Sequence, residues 1–215
     1  MILFQKDLEN AKKMSNSTKF YRRCYAIANI IFHTFFRLKI FGRENINEGS
    51  AMICANHSSM FDPVFIGIAL GKNDQPLYIA KQELFDVPVL AWLLRGLGAT
   101  GVDRTKADIS IVKKSLTKLK NGAKVVIFPE GTRVAEENID SSVKHGAIKI
   151  AERADAYILP VYIPRRKPLF SKVRIVIGKP YKIIKQKAKR TYEDYELLSN
   201  ELMSKIQSLK DFATS

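Results

Sequence analysis

After residue 50 the chain alternates short β-rich apolar runs with segments of helical periodicity, and this alternation is the feature that most limits its fold. Strands are predicted for residues 51–55, 77–80, 99–102, 124–128, 157–163 and 173–177. Helices are predicted for residues 63–70, 88–97, 107–119 and 142–153, and a further helix follows residue 191. Such alternation in 215 residues favours a single α/β domain, with a mostly parallel mixed sheet flanked by helices. We place this domain at residues 44–215, after an N-terminal helical segment at residues 1–43.

The N-terminal segment is predicted to associate with a membrane without crossing it. Its uncharged stretch 24–36 would extend only about 20 Å as a helix, which is short of the ~30 Å hydrocarbon core of a bilayer. Apolar residues recur at helical spacing between basic flanks: Ile27, Ile30, Ile31, Phe35 and Leu38. This pattern is typical of an amphipathic helix that lies in the bilayer surface, with Phe32, Phe35 and Phe36 in the acyl boundary. The same stripe is also compatible with packing on the domain core.

The net charge of +15 indicates a polyanionic partner. Residues 165–190 hold 11 basic and no acidic side chains, which favours an anionic membrane surface at about 1 kcal/mol per basic residue. A solvated basic face is the plainer alternative. Nucleic-acid binding would call for a recognition module or interleaved stacking aromatic residues, and neither is found, so we expect no nucleic-acid partner. Cys24 and Cys54 lie in apolar surroundings, which favours reduced thiols and the cytoplasmic face of the membrane.

An acid-base pair is predicted where the first apolar run ends, in the segment from Asn56 to Pro63. A histidine such as His57 can accept a proton near neutral pH, and a nearby carboxylate can fix its ring in one tautomer. Asp62 followed by Pro63 is typical of a helix N-cap and first helical position. His57 would then precede the helix and fold back toward Asp62.

Two other interpretations of this segment are weaker. Ser59 is not set in the Gly-x-Ser-x-Gly elbow that a nucleophilic serine commonly occupies. A catalytic zinc site needs three protein ligands, and neither His33 nor His145 has metal-binding spacing, so no metal is expected.

The pattern Asn-His-x-Ser-x-x-Asp occupies residues 56–62. Further short motifs follow it at residues 81–88, Arg95, Gly98, 102–104, 128–133, 144–147 and 159–161. In these motifs and their order the chain resembles the lysophosphatidic acid acyltransferases of the glycerolipid acyltransferase superfamily.

This resemblance implies an O-acyltransferase that esterifies the sn-2 hydroxyl of lysophosphatidic acid to phosphatidic acid, with His57 as general base and Asp62 orienting it. It implies a substrate-binding set of Asn56, Ser59, Lys81, Arg104, Glu130, Gly131, Thr132 and Arg133. Among these, Arg133 suits a phosphate because a guanidinium binds phosphate bidentately, and Gly131 permits a tight turn. Glycerol 3-phosphate or another lysolipid remains an alternative acceptor.

No cofactor is expected, because the activated acyl group arrives on its own donor. The candidate donors are acyl-CoA, an acyl carrier protein thioester and an acyl phosphate, and the second of these would make acyl carrier protein a partner. The remaining expected partners are a lysophospholipid acceptor and an anionic membrane, on whose cytoplasmic face the protein would sit as a monotopic or peripheral enzyme.

Overall fold

The computed structural model describes residues 2–102, 109–134, 143–185 and 189–214. Its helices are α1 (Ile2–Phe35), α2 (Asp62–Leu70), α3 (Pro88–Gly96), α4 (Ile109–Lys120), α5 (Gly146–Ala154), α6 (Tyr192–Ser208) and α7 (Lys210–Thr214). Its strands are β1 (Lys39–Phe41), β2 (Ala51–Ala55), β3 (Leu77–Lys81), β4 (Ala99–Val102), β5 (Lys124–Ile127), β6 (Tyr157–Tyr162) and β7 (Arg174–Ile177).

The strands form one mixed sheet in the order β1-β7-β6-β2-β5-β3-β4. Strands β2 to β6 run parallel to one another, whereas β7 is antiparallel to β6 and parallel to β1. Ala51 in β2 pairs with Lys124 of β5 on one side and with Tyr157 of β6 on the other, which aligns the carboxyl ends of these three strands. The predicted single α/β domain with a mostly parallel mixed sheet and flanking helices is confirmed.

Strand β2 is the middle strand of the sheet, and every one of its side chains is buried. A continuous apolar run is what a strand covered on both faces requires. Ala51, Ile53 and Ala55 belong to the core that includes residues of α1 and α2, while Met52 and Cys54 belong to the core that includes residues of α5 and α6. The period of two along β2 therefore builds a separate apolar layer on each face of the sheet.

Helix α1 divides its apolar residues between the domain and the solvent. Phe32 and Phe36 are buried against Phe65 of α2, with ring centroids 4.8 and 5.3 Å apart. The exposed side chains lie on the other face of the helix: Ile27, Ile30, Ile31 and Phe35. The packing interpretation therefore holds for Phe32 and Phe36, whereas association of the exposed side chains with a bilayer stays a prediction. Within the described residues, no helix is long and apolar enough to cross a membrane.

The sheet also takes a strand from the N-terminal segment. The three residues of β1 lie before residue 44, where the domain was expected to begin, and they pair with β7. Residues 39–41 therefore join the N-terminal segment to the domain by backbone hydrogen bonds, and Phe32 and Phe36 join it by side-chain packing. The sequence gives little sign of β1, since three residues between basic side chains are too few for a β pattern.

Candidate active site

The carboxyl ends of the five parallel strands meet at one edge of the sheet. The loop after β2 carries His57, the loop after β5 carries Glu130, and the loop after β6 carries Arg165. Since β2 lies between β5 and β6, the three loops are neighbours. Open α/β sheets bind their ligands at this edge, so the topology places the polar residues where a site is expected.

His57 and Asp62 are in direct contact, with Nδ1 of the ring 2.9 Å from Oδ2 of the carboxylate. The backbone N–H groups of Ser58 and Ser59 each donate to the same oxygen at 2.7 Å. The chain therefore folds back between His57 and the start of α2, as predicted. The capping prediction was wrong, because Phe61 occupies the N-cap position and Asp62 is the first helical residue. Asp62 directs its carboxylate backward to the loop, where it binds three donors at once.

Asp62 is held as a carboxylate by its contacts. Burial by itself would raise the pKa of this carboxyl. The hydrogen bond from His57, the charge of Lys167 and the two backbone donors outweigh burial and lower its pKa. An ionised carboxylate only accepts hydrogen bonds, so Nδ1 of His57 must carry the proton that lies between them. In the neutral ring, Nε2 then has a free lone pair and is the atom that can act as a base.

The imidazole of His57 is fixed on a second side by an aromatic ring. Phe128, the residue after β5, stacks on it with centroids 4.1 Å apart and planes 19° from parallel. The His57 side chain is 12% exposed. The ring is therefore nearly enclosed but still reachable from outside.

Glu130 holds the backbone of His57. Its Oε2 accepts a hydrogen bond from the His57 N–H at 2.8 Å, and its Oε1 is paired with the Arg165 guanidinium. Arg165 also donates to the carbonyl of Val134 at 2.7 Å, and the Val134 N–H donates to the His57 carbonyl at 2.8 Å. Glu130 is buried, so its two oxygens are used within the protein, whereas the resemblance implied contact with substrate.

Asn56 is likewise an internal residue. Its amide nitrogen donates to the carbonyl of Ile163 at 2.7 Å, and its amide oxygen accepts from the Ile163 N–H at 2.8 Å. The side chain is buried and ties the end of β2 to the chain after β6. In this structure Asn56 and Glu130 shape the loop that carries His57, and the substrate contacts expected of them stay a prediction.

Lys167 is a residue of the site that sequence reasoning missed. Its ammonium lies 3.0 Å from Asp62 Oδ1 and donates to Ser58 Oγ at 2.8 Å and to the Pro164 carbonyl at 2.6 Å. Lys167 and Arg165 belong to the basic stretch 165–190 that the sequence assigned to a membrane surface. Both face inward and pair with acidic residues. Their position after a predicted parallel strand was the signal that could have placed them at the site.

The remaining predicted substrate residues are more exposed. Gly131 has φ of +68° in a turn closed by its N–H to the Phe128 carbonyl, while Thr132 and Arg133 project from the same loop. The Arg133 guanidinium forms no ion pair with any residue that the structure describes. Lys81 ends β3 and pairs with Glu83 at 3.1 Å.

The last two predicted substrate residues are Ser59 and Arg104. Ser59 turns its hydroxyl toward the Phe61 N–H, which donates to it at 3.2 Å. Arg104 lies outside the described residues.

Known acyltransferases are similar to this chain in sequence. The family model described as Acyltransferase matches residues 37–164. The 1-acyl-sn-glycerol-3-phosphate acyltransferase of Bacillus subtilis is 31% identical over 166 residues, which are 74% of this chain and 81% of that protein. The chloroplast enzyme of the same name from Arabidopsis thaliana is 28% identical over 198 residues, 86% of this chain. This chain spans about half the length of the chloroplast relative, with 52% covered.

A solved structure is similar to the whole fold. The crystal structure of the 1-acyl-sn-glycerophosphate (LPA) acyltransferase from Thermotoga maritima superposes with a TM-score of 0.66 at 26% sequence identity. The match covers 98% of this chain and 86% of that one. The likeness therefore includes the segment before the sheet as well as the α/β domain.

Proposed function

The chain belongs to the acyltransferase family, and from that premise we propose that it transfers a fatty acyl group from an activated donor to the sn-2 hydroxyl of lysophosphatidate. The product is phosphatidate, an intermediate of phospholipid biosynthesis. The observation that carries the proposal is the 2.9 Å contact between His57 and Asp62 at the carboxyl edge of the sheet. The relatives from Arabidopsis thaliana and Bacillus subtilis are named as 1-acyl-sn-glycerol-3-phosphate acyltransferases, which supports the choice of acceptor.

The reaction needs one base and no covalent acyl-enzyme. Neutral His57 accepts the proton of the acceptor hydroxyl on Nε2 while the hydroxyl oxygen attacks the carbonyl carbon of the donor. The tetrahedral intermediate collapses and expels the thiolate or phosphate of the donor, which takes the electron pair of the broken bond. The imidazolium returns its proton to this leaving group. Asp62 stays ionised throughout and stabilises the imidazolium that forms between the two steps.

The acceptor's phosphate is bound by the cationic side chains at the same edge. Arg133 is exposed beside the His57 loop, and its guanidinium, which has no ion pair among the described residues, can bind phosphate with two parallel hydrogen bonds. Lys81 at the end of β3 is a further candidate, and so is Arg104, which lies outside the described residues. Gly131 lets the turn before Arg133 form, since its φ of +68° is costly for other residues.

The acceptor comes from a bilayer on which the protein lies as a monotopic or peripheral enzyme at the cytoplasmic face. Support comes from an open apolar groove between α1 and the loop before Asp62, lined by Ile31, Phe32, Phe35, Phe36, Phe61 and Leu169. Phe61 belongs to the loop that carries His57 and is half-exposed, so the groove adjoins that loop. A bilayer against this face would present lysophosphatidate to His57 directly.

Phe170 strengthens the case for a membrane face. It is 62% exposed and has φ of +62°, a conformation that a bulky side chain rarely adopts. Its N–H donates to the Phe35 carbonyl at 2.6 Å, and its ring lies 5.8 Å from that of Phe35. The loop after β6 and helix α1 therefore present an aromatic pair together, which suits the boundary between headgroups and acyl chains.

An acyl-transfer assay tests the proposal. Purified protein is given lysophosphatidate, glycerol 3-phosphate and a zwitterionic lysolipid, each with acyl-CoA, an acyl carrier protein thioester and an acyl phosphate. We expect phosphatidate from lysophosphatidate. His57→Ala should lower kcat by about 10²–10⁴-fold, because the general base is lost, while lysolipid binding persists. Undiminished turnover by His57→Ala would contradict the assignment of the base, and esterification of glycerol 3-phosphate alone would contradict the acceptor.

Arg133→Ala should raise the KM for lysophosphatidate by about tenfold or more, because a charged hydrogen-bonding contact is worth about 1.5–3 kcal/mol. The KM for the acyl donor should stay the same. Steady-state kinetics with each substrate varied in turn measures both constants, and Arg153→Ala, an exposed arginine on α5, is the control. If Arg133→Ala affects the donor KM and leaves the acceptor KM unchanged, the phosphate role is wrong.

The double substitution Ile30→Glu and Ile31→Glu should weaken binding to anionic vesicles by more than about tenfold. Each isoleucine that enters the bilayer contributes about 1.5–3 kcal/mol to the free energy of binding. The glutamate carboxylates that replace them are repelled by anionic lipid headgroups. Sedimentation with phosphatidylglycerol vesicles measures the loss. Ile109→Glu is the control, because Ile109 is an exposed isoleucine at the start of α4. Full binding by the double variant, or tighter binding of the unaltered protein to random oligonucleotides than to vesicles, would contradict a membrane role for α1.

A further inference from the structure

Lys167 occupies an unusual place for a lysine. Its side chain is only 5% exposed and reaches the carboxylate that orients the proposed base. The two oxygens of Asp62 have separate partners. Oδ2 accepts from His57, Ser58 and Ser59, while Oδ1 lies against the Lys167 ammonium. The lysine is thus a third member of the His57–Asp62 arrangement, and it comes from a distant part of the chain.

We propose that Lys167 is a positioning residue that keeps His57 neutral, and so able to accept a proton, at lower pH than an unpaired Asp62 would allow. The proposal rests on the proposed function only in taking His57 as the base. Beside a lone buried carboxylate, protonation of His57 would create an ion pair and would be favoured. Beside an Asp62–Lys167 pair, the same protonation leaves a net positive charge in a nearly enclosed site.

The other charged groups around His57 leave this balance in place. Glu130 contacts the His57 backbone from the loop after β5, but it is paired with Arg165 from the loop after β6. These two charges offset each other. Phe128, which stacks on the ring, carries no charge, and Arg133 beside the His57 loop is exposed to solvent that screens its charge. Among the described residues, the buried charges that decide the protonation of His57 are therefore those of Asp62 and Lys167.

The contacts of Lys167 suit the ammonium form. An ammonium group has three N–H donors, and this one donates to Ser58 Oγ, the Pro164 carbonyl and the Arg165 carbonyl. Asp62 Oδ1 lies 3.0 Å from it as the partner of an ion pair. Burial lowers the pKa of Lys167, and the attraction of Asp62 works against that effect. Deep burial without such partners would favour the neutral amine, which could not balance Asp62.

Lys167 also fixes the loop geometry. Ser58 Oγ accepts from Lys167 and in turn donates to the Arg165 carbonyl at 3.0 Å. The loop after β2 is therefore tied to the loop after β6 at the residue next to His57. Loss of Lys167 should alter both the charge and the position of the base, and the test must separate the two.

The pH dependence of kcat/KM separates charge from position. In Lys167→Met the acid limb of the kcat/KM profile should move upward by about one pH unit, because Asp62 without its lysine favours the imidazolium form of His57. Lys167→Arg keeps the positive charge, so its acid limb should stay in place even if kcat falls. Lys124→Met is the matched control. Lys124 is a 4% exposed lysine 2.8 Å from Asp74, and it starts β5, so it lies at the opposite edge of the sheet. Its loss should lower stability without moving the limb.

A measurement without turnover keeps this inference distinct from the proposed function. The chain has three histidines, so ¹⁵N-histidine labelling gives few ring signals, and His57→Ala identifies the one from His57. In Lys167→Met, or in Lys167→Gln if the methionine variant does not fold, the titration midpoint of that ring should rise by about one pH unit. Folded variants with an unmoved midpoint, or an equal rise in Lys124→Met, would overturn the role of Lys167. Absence of acyl transfer with a raised midpoint would overturn the function but leave this inference intact.

Discussion

The site depends on one buried negative charge, the carboxylate of Asp62. An unpaired carboxylate at this depth would carry a large desolvation cost and would take up a proton. Here one of its oxygens accepts from the His57 ring and two backbone N–H groups, and the other meets an ammonium. These contacts keep the charge, and the charge in turn sets the His57 tautomer and folds residues 57–61 into the loop before α2.

The sheet makes this arrangement possible by bringing distant segments to the same edge. Glu130 contacts His57 across 73 residues of sequence, and Lys167 contacts Ser58 across 109. Parallel pairing of β2 with both β5 and β6 fixes these approaches, since all three strands end together. The buried amide of Asn56 then locks the end of β2 to the chain after β6. The fold thus supplies a rigid frame, and the exposed residues around it supply the contacts available to substrate.

Local features of the sequence predicted the fold and the contact between His57 and Asp62. The apolar run of β2 and the five-residue spacing from His57 to Asp62 are short-range signals, whereas the helix N-cap expected at Asp62 was wrong. The roles of Asn56, Glu130 and Lys167 depend on partners in other loops, which no local pattern reveals. The aromatic residues of α1 show the same limit. Their spacing predicted an amphipathic helix, but only the position of Phe65 decides that Phe32 and Phe36 face the core while Ile30 faces outward.

The central claim is that Asp62 holds the neutral His57 ring with its proton on Nδ1, so that Nε2 is the base. The ¹⁵N chemical shifts of the two His57 ring nitrogens, recorded at a pH where the ring is neutral, measure directly which nitrogen carries the proton. The account predicts a protonated, pyrrole-type Nδ1 and an unprotonated, pyridine-type Nε2. In Asp62→Ala the Nδ1–H group loses its hydrogen-bond acceptor, so the preference for this tautomer should weaken. A proton found mainly on Nε2 would leave the ring without a base at its exposed nitrogen and would contradict the account.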